Sequence, residues 1–203
     1  MKNISILVSF VIMMMSSFGY CQKAQLFNGK NLDNWVIENN GQFSVEDGLL
    51  KVNRGSGWLR SEKKYSDFTM TMEFRFMEKD ANSGIYVRVP SLDTKGKNGY
   101  PASYYQVQCR DNDSIVNSHL GYLFSKGVPE FDFVSSFERV KKAYKPVGEW
   151  HTYEITCVKG KFVVKLNGEV ITIALNVPTL EGYIGIQGEF GLLEFRKIEL
   201  EIL

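Results

Sequence analysis

Apolar and polar side chains alternate with period two through much of this chain, most plainly in Thr69-Met70-Thr71-Met72-Glu73-Phe74-Arg75-Phe76. Successive side chains of a strand point to opposite faces, so the Met and Phe positions form one face and Thr71, Glu73 and Arg75 the other. Two further runs, 82–88 and 104–110, flank a Gly/Pro/Lys-rich loop. In the first, Ile85 and Val87 oppose Gly84, Tyr86 and Arg88; in the second, Tyr105, Val107 and Cys109 oppose Tyr104, Gln106, Gln108 and Arg110. Shorter runs at 43–45, 49–52, 58–60, 151–158, 161–166, 170–173, 182–187 and 193–202 are punctuated by turn residues, and Asp47-Gly48 and Asn167-Gly168 are hairpin signals. The pattern predicts an all-β fold of two packed antiparallel sheets whose apolar faces meet in the core.

Two stretches, 91–103 and 112–148, resist the strand pattern. The second holds Tyr122, Phe124, Phe131, Phe133, Phe137 and Tyr144, too much aromatic surface for free disorder. It is expected to fold over an edge or mouth of the sandwich, as long loops in compact domains often do at functional sites. Within it, Phe137, Val140 and Ala143 or Tyr144 approximate helical spacing, so a turn or two of helix is expected over 134–144.

The first 21 residues read as a signal peptide, with Lys2 before an apolar run over 4–18 and small residues, Gly19 and Cys21, placed for cleavage before Gln22. An acylated Cys21 is the alternative, and Tyr20 argues against it because that machinery wants a small side chain there. Export to the periplasm or the extracellular space is therefore expected, with 22–203 as one domain and no transmembrane segment in the mature chain. The 24 Lys and Arg against 23 Asp and Glu leave no dense basic patch, which excludes nucleic acid as the expected partner. Cys109 and Cys157 fall in the apolar registers of their strands, so a disulfide and two buried thiols both remain open. With only His119 and His151 and no CxxC, no metal site and no cofactor is evident. Oxygen ligands do cluster over 110–113, which leaves a divalent cation open, but without a dedicated cation loop.

The polar face of 82–88 and 104–110 is rich in rings, amides and guanidinium groups. Such groups stack on and hydrogen-bond to sugars, whereas a face that only needs to be wet more often carries Lys, Glu and Thr. Tyr86, Tyr104, Gln106 and Gln108 are therefore candidates for substrate binding, together with Gln187 from a neighbouring run and His119 as a proton carrier in the long loop. Trp35, Trp58 and Trp150 read as core aromatics, and His151 as a surface or hydrogen-bonded residue.

An ordered series of segments then carries a family resemblance: 26–35, 43–50, 57–68, Asn82-Ser83-Gly84-Ile85-Tyr86-Val87-Arg88, Gly148-Glu149-Trp150-His151-Thr152-Tyr153-Glu154-Ile155 and Leu166-Asn167-Gly168. Taken in order over nearly the whole of 22–203, they resemble the 3-keto-disaccharide hydrolase domains. The resemblance implies a concanavalin A-like jelly roll, export in glycan-degrading bacteria, and action on glycosides oxidised to a ketone at C3. The chain departs from the family pattern at two places. Tyr105-Gln106-Val107-Gln108 has an amide where the family has a carboxylate, and Gly188-Glu189-Phe190 stands where the family often shows a His-Gly pair. An amide keeps the geometry but cannot accept a catalytic proton.

A C3 ketone acidifies the C2 hydrogen, so a base can remove it and the enolate can expel the C1 substituent. That chemistry needs a base near C2, a cationic or hydrogen-bonding group at the C3 oxygen, and an acid for the leaving oxygen. Arg88 is the candidate for the enolate oxygen, and Glu189 and Glu73 are the candidates for base and acid. Each has a bland counterpart: Glu73 and Arg75 on a wet outer face, Arg88 as a structural bridge, Glu189 turned elsewhere by a bulge at Gly188. The enzyme reading, a hydrolase or lyase of 3-keto-glycosides, stands beside a non-catalytic carbohydrate-binding module of the same fold.

Overall fold

The computed structural model describes residues 22–92, 99–111 and 115–203; the expected signal peptide and Asn112 and Asp113 of the oxygen-rich stretch lie outside the described residues. Thirteen strands carry these residues: β1 (Gln22–Gln25), β2 (Trp35–Glu46), β3 (Leu49–Tyr65), β4 (Phe68–Phe76), β5 (Asn82–Val89), β6 (Tyr104–Arg110), β7 (Leu123–Lys126), β8 (Asp132–Ser135), β9 (His151–Val158), β10 (Lys161–Leu166), β11 (Glu169–Leu175), β12 (Gly182–Gly188) and β13 (Leu192–Ile202). One α-helix, α1 (Phe137–Ala143), is capped at its start by the Ser136 hydroxyl, which accepts from the Arg139 amide, and Val116–Ser118 form a single 3-10 turn. All pairing is antiparallel, in the order β7-β6-β5-β12-β3-β13-β4-β9-β10-β11-β8, with β1 on β13 and β2 on β3.

The long hairpin β2–β3 turns this continuous path into two layers. The beginning of β3 pairs with β13 (Val52 opposite Leu193), and its later part pairs with β12 (Trp58 opposite Gln187). The change of layer falls at Arg54 and Gly55, with φ of 72° and 109°, beside a register shift in β2 between Gly41 and Phe43. A side chain at Gly55 would run into the Asn40 carbonyl, so this corner requires glycine. The front layer is β7-β6-β5-β12 with the later half of β3; the back layer is β13-β4-β9-β10-β11-β8.

Ile85, Val87, Val107, Cys109, Ile184 and Ile186 from the front meet Met70, Met72, Phe74, Ile155, Val164 and Phe195 from the back in one buried cluster. Burial of each such side chain contributes about 1.5–3 kcal/mol, so this core outweighs any surface ion pair. Tyr105 and Phe162 meet edge to face across it at 5.5 Å, and the Tyr153 hydroxyl donates to the Gln108 carbonyl at 2.7 Å. The fold is the two-layer antiparallel sandwich that the alternation predicts. Cys109 and Cys157 are both buried free thiols, which resolves the disulfide question toward none.

The stretch 112–148 is more regular than its sequence shows. It supplies β7 to one edge of the path and β8 to the other, with α1 resting against β11. Its aromatics close the side of the sandwich, where Phe131 packs on Tyr105 and Tyr122 on Phe133. No helix among the described residues is long and apolar enough to cross a membrane.

His151 is buried in the back layer, where its ring stacks on Phe74. Its Nε2 lies 3.0 Å from the Lys145 carbonyl and must carry the hydrogen, leaving Nδ1 to accept from Asn167 at 3.4 Å. Burial, helped by the charge of Lys145 and opposed by the Lys145 carbonyl and Asp111, lowers its pKa to about 4. An unfolded histidine titrates near 6.5, so between about pH 6.5 and 4 the unfolded chain binds the extra proton and stability falls as pH falls, by about 3 kcal/mol over the window. Denaturant unfolding of wild type and His151→Gln across pH 4–7 checks this: the difference between the two proteins should shrink as pH falls, and a pH-independent difference rules it out.

Candidate functional site

The outward face of the front layer collects most of the predicted binding residues. Tyr86 sits opposite Gln106, Gly84 opposite Gln108, and Asn82 opposite Arg110 on β5 and β6. Gly185 lies opposite Tyr86 on one side and Arg60 on the other, and Phe124 opposite Gln106. Directly opposed residues share a face, so these side chains form rows across the layer. Trp58, Tyr86 and Val89, with Tyr104 and Tyr183 packed on them, form an aromatic cluster separate from the core. Trp58 and Tyr86 are thus both fully buried yet belong to the outer face, where they meet edge to face at 5.6 Å, so Tyr86, expected to bind substrate, packs under the face and offers a ligand no surface.

Two glycines pave this face. Neighbouring strands lie about 4.8 Å apart, so a side chain on β6 reaches β12 only by crossing over β5. Gln106 does so above Gly84, where any Cβ would overlap its amide, and its Nε2 donates to Gln187 Oε1 at 2.8 Å. The same amide lies 3.3 Å from Gln108 Oε1, and Gln108 Nε2 donates to Ser118 at 3.2 Å. At Gly185 the Trp58 ring takes the space that a Cβ would need. The result is a row of fixed amides beside a row of fixed rings.

Glu189 stands at one end of these rows. Its Oε2 accepts from Asn82 Nδ2 at 2.5 Å. Burial raises its pKa above the usual carboxylate value, against the opposing pull of the Arg110 charge and the Asn82 hydrogen bond. Burial, with the Glu189 charge second, also raises the pKa of the Tyr104 and Tyr100 phenols, so both stay protonated at neutral pH. The Tyr100 hydroxyl donates to the Gly188 carbonyl at 3.2 Å. At the other end Glu38 is held by Arg60 at 2.7 Å, and that guanidinium lies over the Tyr183 ring at 5.1 Å.

Among the described residues, the buried side-chain atoms left without a hydrogen-bond partner are Trp58 Nε1, Asn82 Oδ1 and Arg110 Nε. All three residues belong to this face. These are two donors and an acceptor beneath the surface of the face whose hydrogen bonds the protein itself leaves unfilled.

Three predicted catalytic or binding residues lie elsewhere. Alternation along β5 puts Arg88 on the outer face, but its φ of +48° turns it inward and it is fully buried. Nε and Nη2 donate to the Ser66 carbonyl at 2.9 and 2.7 Å, Nη1 to the Lys159 and Thr179 carbonyls at 2.5 and 3.2 Å, and Nη2 to Asp67 at 3.0 Å. Every part of the fork is engaged, so Arg88 ties three loops together and has no donor for an enolate. Glu73 lies on the outer face of the back layer and pairs with Arg196. Trp150 lies there too, with Arg196 at 4.4 Å and Arg75, itself paired with Glu194, at 4.6 Å. His119 is buried between Tyr122 and Phe137; its Nδ1 donates to the Leu120 carbonyl at 2.9 Å, and Nε2 faces Ser135 at 3.3 Å.

Asn82, Arg110, Trp58 and Tyr100 complete the face without having been singled out as site residues. The signal for Asn82 and Arg110 was present, since each ends an outward register set and they oppose one another. Among the described residues no group of three or more His, Cys, Asp and Glu side chains is placed to hold a metal ion.

Comparison with known proteins gives one family match and many structural ones. A family described as 3-keto-alpha-glucoside-1,2-lyase-like domain matches residues 22–201. A candidate glycosyl hydrolase from Parabacteroides distasonis ATCC 8503 superposes with a TM-score of 0.68 at 23% identity, covering 90% of this chain and 100% of its own. A second from the same organism gives 0.66 at 18%, covering 89% and 94%. The carbohydrate-binding module CBM66 from Bacillus subtilis gives 0.56 at 13%, covering 83% and 95%. At these identities the structural neighbours show the fold. A search of curated protein sequences finds no match.

Proposed function

The chain belongs to the 3-keto-alpha-glucoside-1,2-lyase-like domain family, and we propose that it is an enzyme that cleaves 3-keto-glycosides or 3-keto-disaccharides by base-assisted elimination at the outward face of the front layer. The observation that carries this reading is Glu189: a half-buried carboxylate of raised pKa, oriented by Asn82, beside the charge of Arg110 and two protonated phenols.

In this reading Glu189 takes the C2 proton. The electrons of the C2–H bond become the enolate, whose C3 oxygen is stabilised by Arg110, the cation that takes the part expected of Arg88. Collapse of the enolate forms the C1–C2 double bond and breaks the C1–O bond, and a phenol, Tyr104 or Tyr100, protonates the departing oxygen. Water adding back across the double bond makes the net reaction a hydrolysis; without it the enzyme is a lyase. The amide row Gln106, Gln187 and Gln108 orients the sugar, and the fully buried rings of Tyr86 and Trp58 hold that row from beneath. Export, predicted by the 1–21 segment, would bring the site to glycans outside the cytoplasm.

Mass spectrometry of purified protein incubated with 3-keto-glucosides and their unoxidised parents tests this. Cleavage confined to the keto substrates supports the reading, and the product mass separates lyase from hydrolase. Arg110→Gln is expected to lower kcat by about a hundredfold, as loss of an oxyanion donor does; wild-type kcat in this variant removes Arg110 from the mechanism. The amide at Gln106 favours a second reading, a carbohydrate-binding module. Measurable glycan affinity in a folded protein that cleaves nothing selects it.

A further inference from the structure

Immediately after Glu189 the chain holds an aromatic ring out to solvent. Phe190 is 56% exposed, and its backbone is pinned in an isolated bridge to Asn82: the Asn82 amide donates to the Phe190 carbonyl at 2.5 Å, and the Phe190 amide to the Asn82 carbonyl at 3.2 Å. Paired residues share a face, so Phe190 is presented on the same side as the Asn82 side chain that orients Glu189. The next residue, Gly191, has φ of 91° and no room for a Cβ against Ala81, which fixes the turn. The guanidinium of Arg54 lies over the ring at 5.5 Å and is itself held by both carboxylate oxygens of Glu78, at 3.0 and 3.2 Å. One side of the ring is therefore covered by a tethered cation, and the exposure is on the rest.

An exposed phenyl ring is unfavourable in water, and here its backbone is fixed, so stacking a ligand ring on it loses little conformational freedom. We infer that Phe190 is the platform of an outer subsite that stacks a second pyranose ring of the substrate, joined to the ring processed at Glu189. This rests on reading the outer face as a carbohydrate site, and it makes the preferred substrate a disaccharide or longer rather than a simple alkyl glucoside.

The test is isothermal titration of Glu189→Gln, alone and combined with Phe190→Ala or Phe190→Trp, with methyl 3-keto-glucoside, a 3-keto-disaccharide and an aryl 3-keto-glucoside. The readout is the affinity ratio of disaccharide to methyl glucoside, which a general loss of folding does not mimic. Phe190→Ala should lower that ratio about tenfold and Phe190→Trp should keep it. An unchanged ratio in Phe190→Ala overturns the inference, as does a parent protein with no preference for the disaccharide, or a loss seen with the aryl glucoside alone. Failure of the catalytic reading is a separate result, the absence of cleavage by protein that retains Glu189, and it leaves the ratio measurable.

Discussion

Glu189→Gln should reduce turnover of a 3-keto-glycoside by about a thousandfold, with the protein folded and still able to bind. General-base catalysis by one positioned group contributes 10²- to 10⁴-fold, and an amide keeps the shape of the carboxylate while giving up the lone pair that takes the proton. Folding should survive because burial disfavours the charge that the substitution removes: it raises the Glu189 pKa, so the ionised form lowers stability once pH exceeds the unfolded value. The same shift predicts a pH profile. In the proposed mechanism the carboxylate is the form that takes the proton, so kcat/KM should fall as pH drops through a value above that of an ordinary glutamate, and the residual activity of Glu189→Gln should lack this limb. Single-turnover kinetics with product masses, read beside substrate affinity, check both statements. Wild-type rates in a folded variant would remove Glu189 from the chemistry.

Arg88→Ala should destabilise the fold by about 3–5 kcal/mol, the usual effect of removing one partner from a buried charged network. The loss strands the Ser66, Lys159 and Thr179 carbonyls, which the guanidinium alone collects from three loops. For a domain of this size that is a fall in Tm of roughly 10 °C. Asp67 is less exposed to the loss: it is 29% accessible and keeps a bond from the Lys159 amide at 2.8 Å. Arg88→Lys should recover only part, since an ammonium lacks the planar fork that meets several carbonyls at once. Thermal melts of the two variants decide the matter. A shift under about 3 °C in Arg88→Ala would overturn the clamp, and a melt near wild type with lost turnover would return Arg88 to the chemistry.

Arg88 also shows where the sequence stops being legible. Period-two alternation assigned most faces correctly, because each strand packs one side against a core that tolerates no slip: Ile85, Val87, Val107 and Cys109 went inward as read. Alternation assumes extended backbone at every step, and the left-handed φ of Arg88 breaks that assumption at a residue where no glycine announced it. Glu73 failed for a different reason. Its register is outward as read, but two layers have two outward faces, and which strands share one depends on pairing that the linear pattern does not contain. His119 was placed in a loop expected at the mouth, and the aromatic side chains that made the loop conspicuous bury it. Glycine in a strand, by contrast, carried a signal that went unread. Gly84 within an otherwise regular run signals a close approach, and the Gln106 amide makes it. The strands β7 and β8 escaped notice because each sets two apolar side chains next to one another, Leu123-Phe124 and Phe133-Val134, inside a stretch that read as one long loop.

The pairing of β1 with β13 has a mechanical side. Gln22 lies opposite Ile202 and Gln25 opposite Glu199, so the start of β1 and the end of β13 sit together. A load applied across Gln22 and Ile202 therefore opens this ladder one hydrogen bond at a time, like a zip, instead of shearing all its bonds at once. Four residues peel before the tension reaches Leu26 and Phe27, whose side chains are buried and whose amides both reach the Ile198 carbonyl, at 2.9 and 3.3 Å. The first part of the molecule to give under such a load is thus the four-residue ladder of β1 on the back layer, away from the face that carries Glu189.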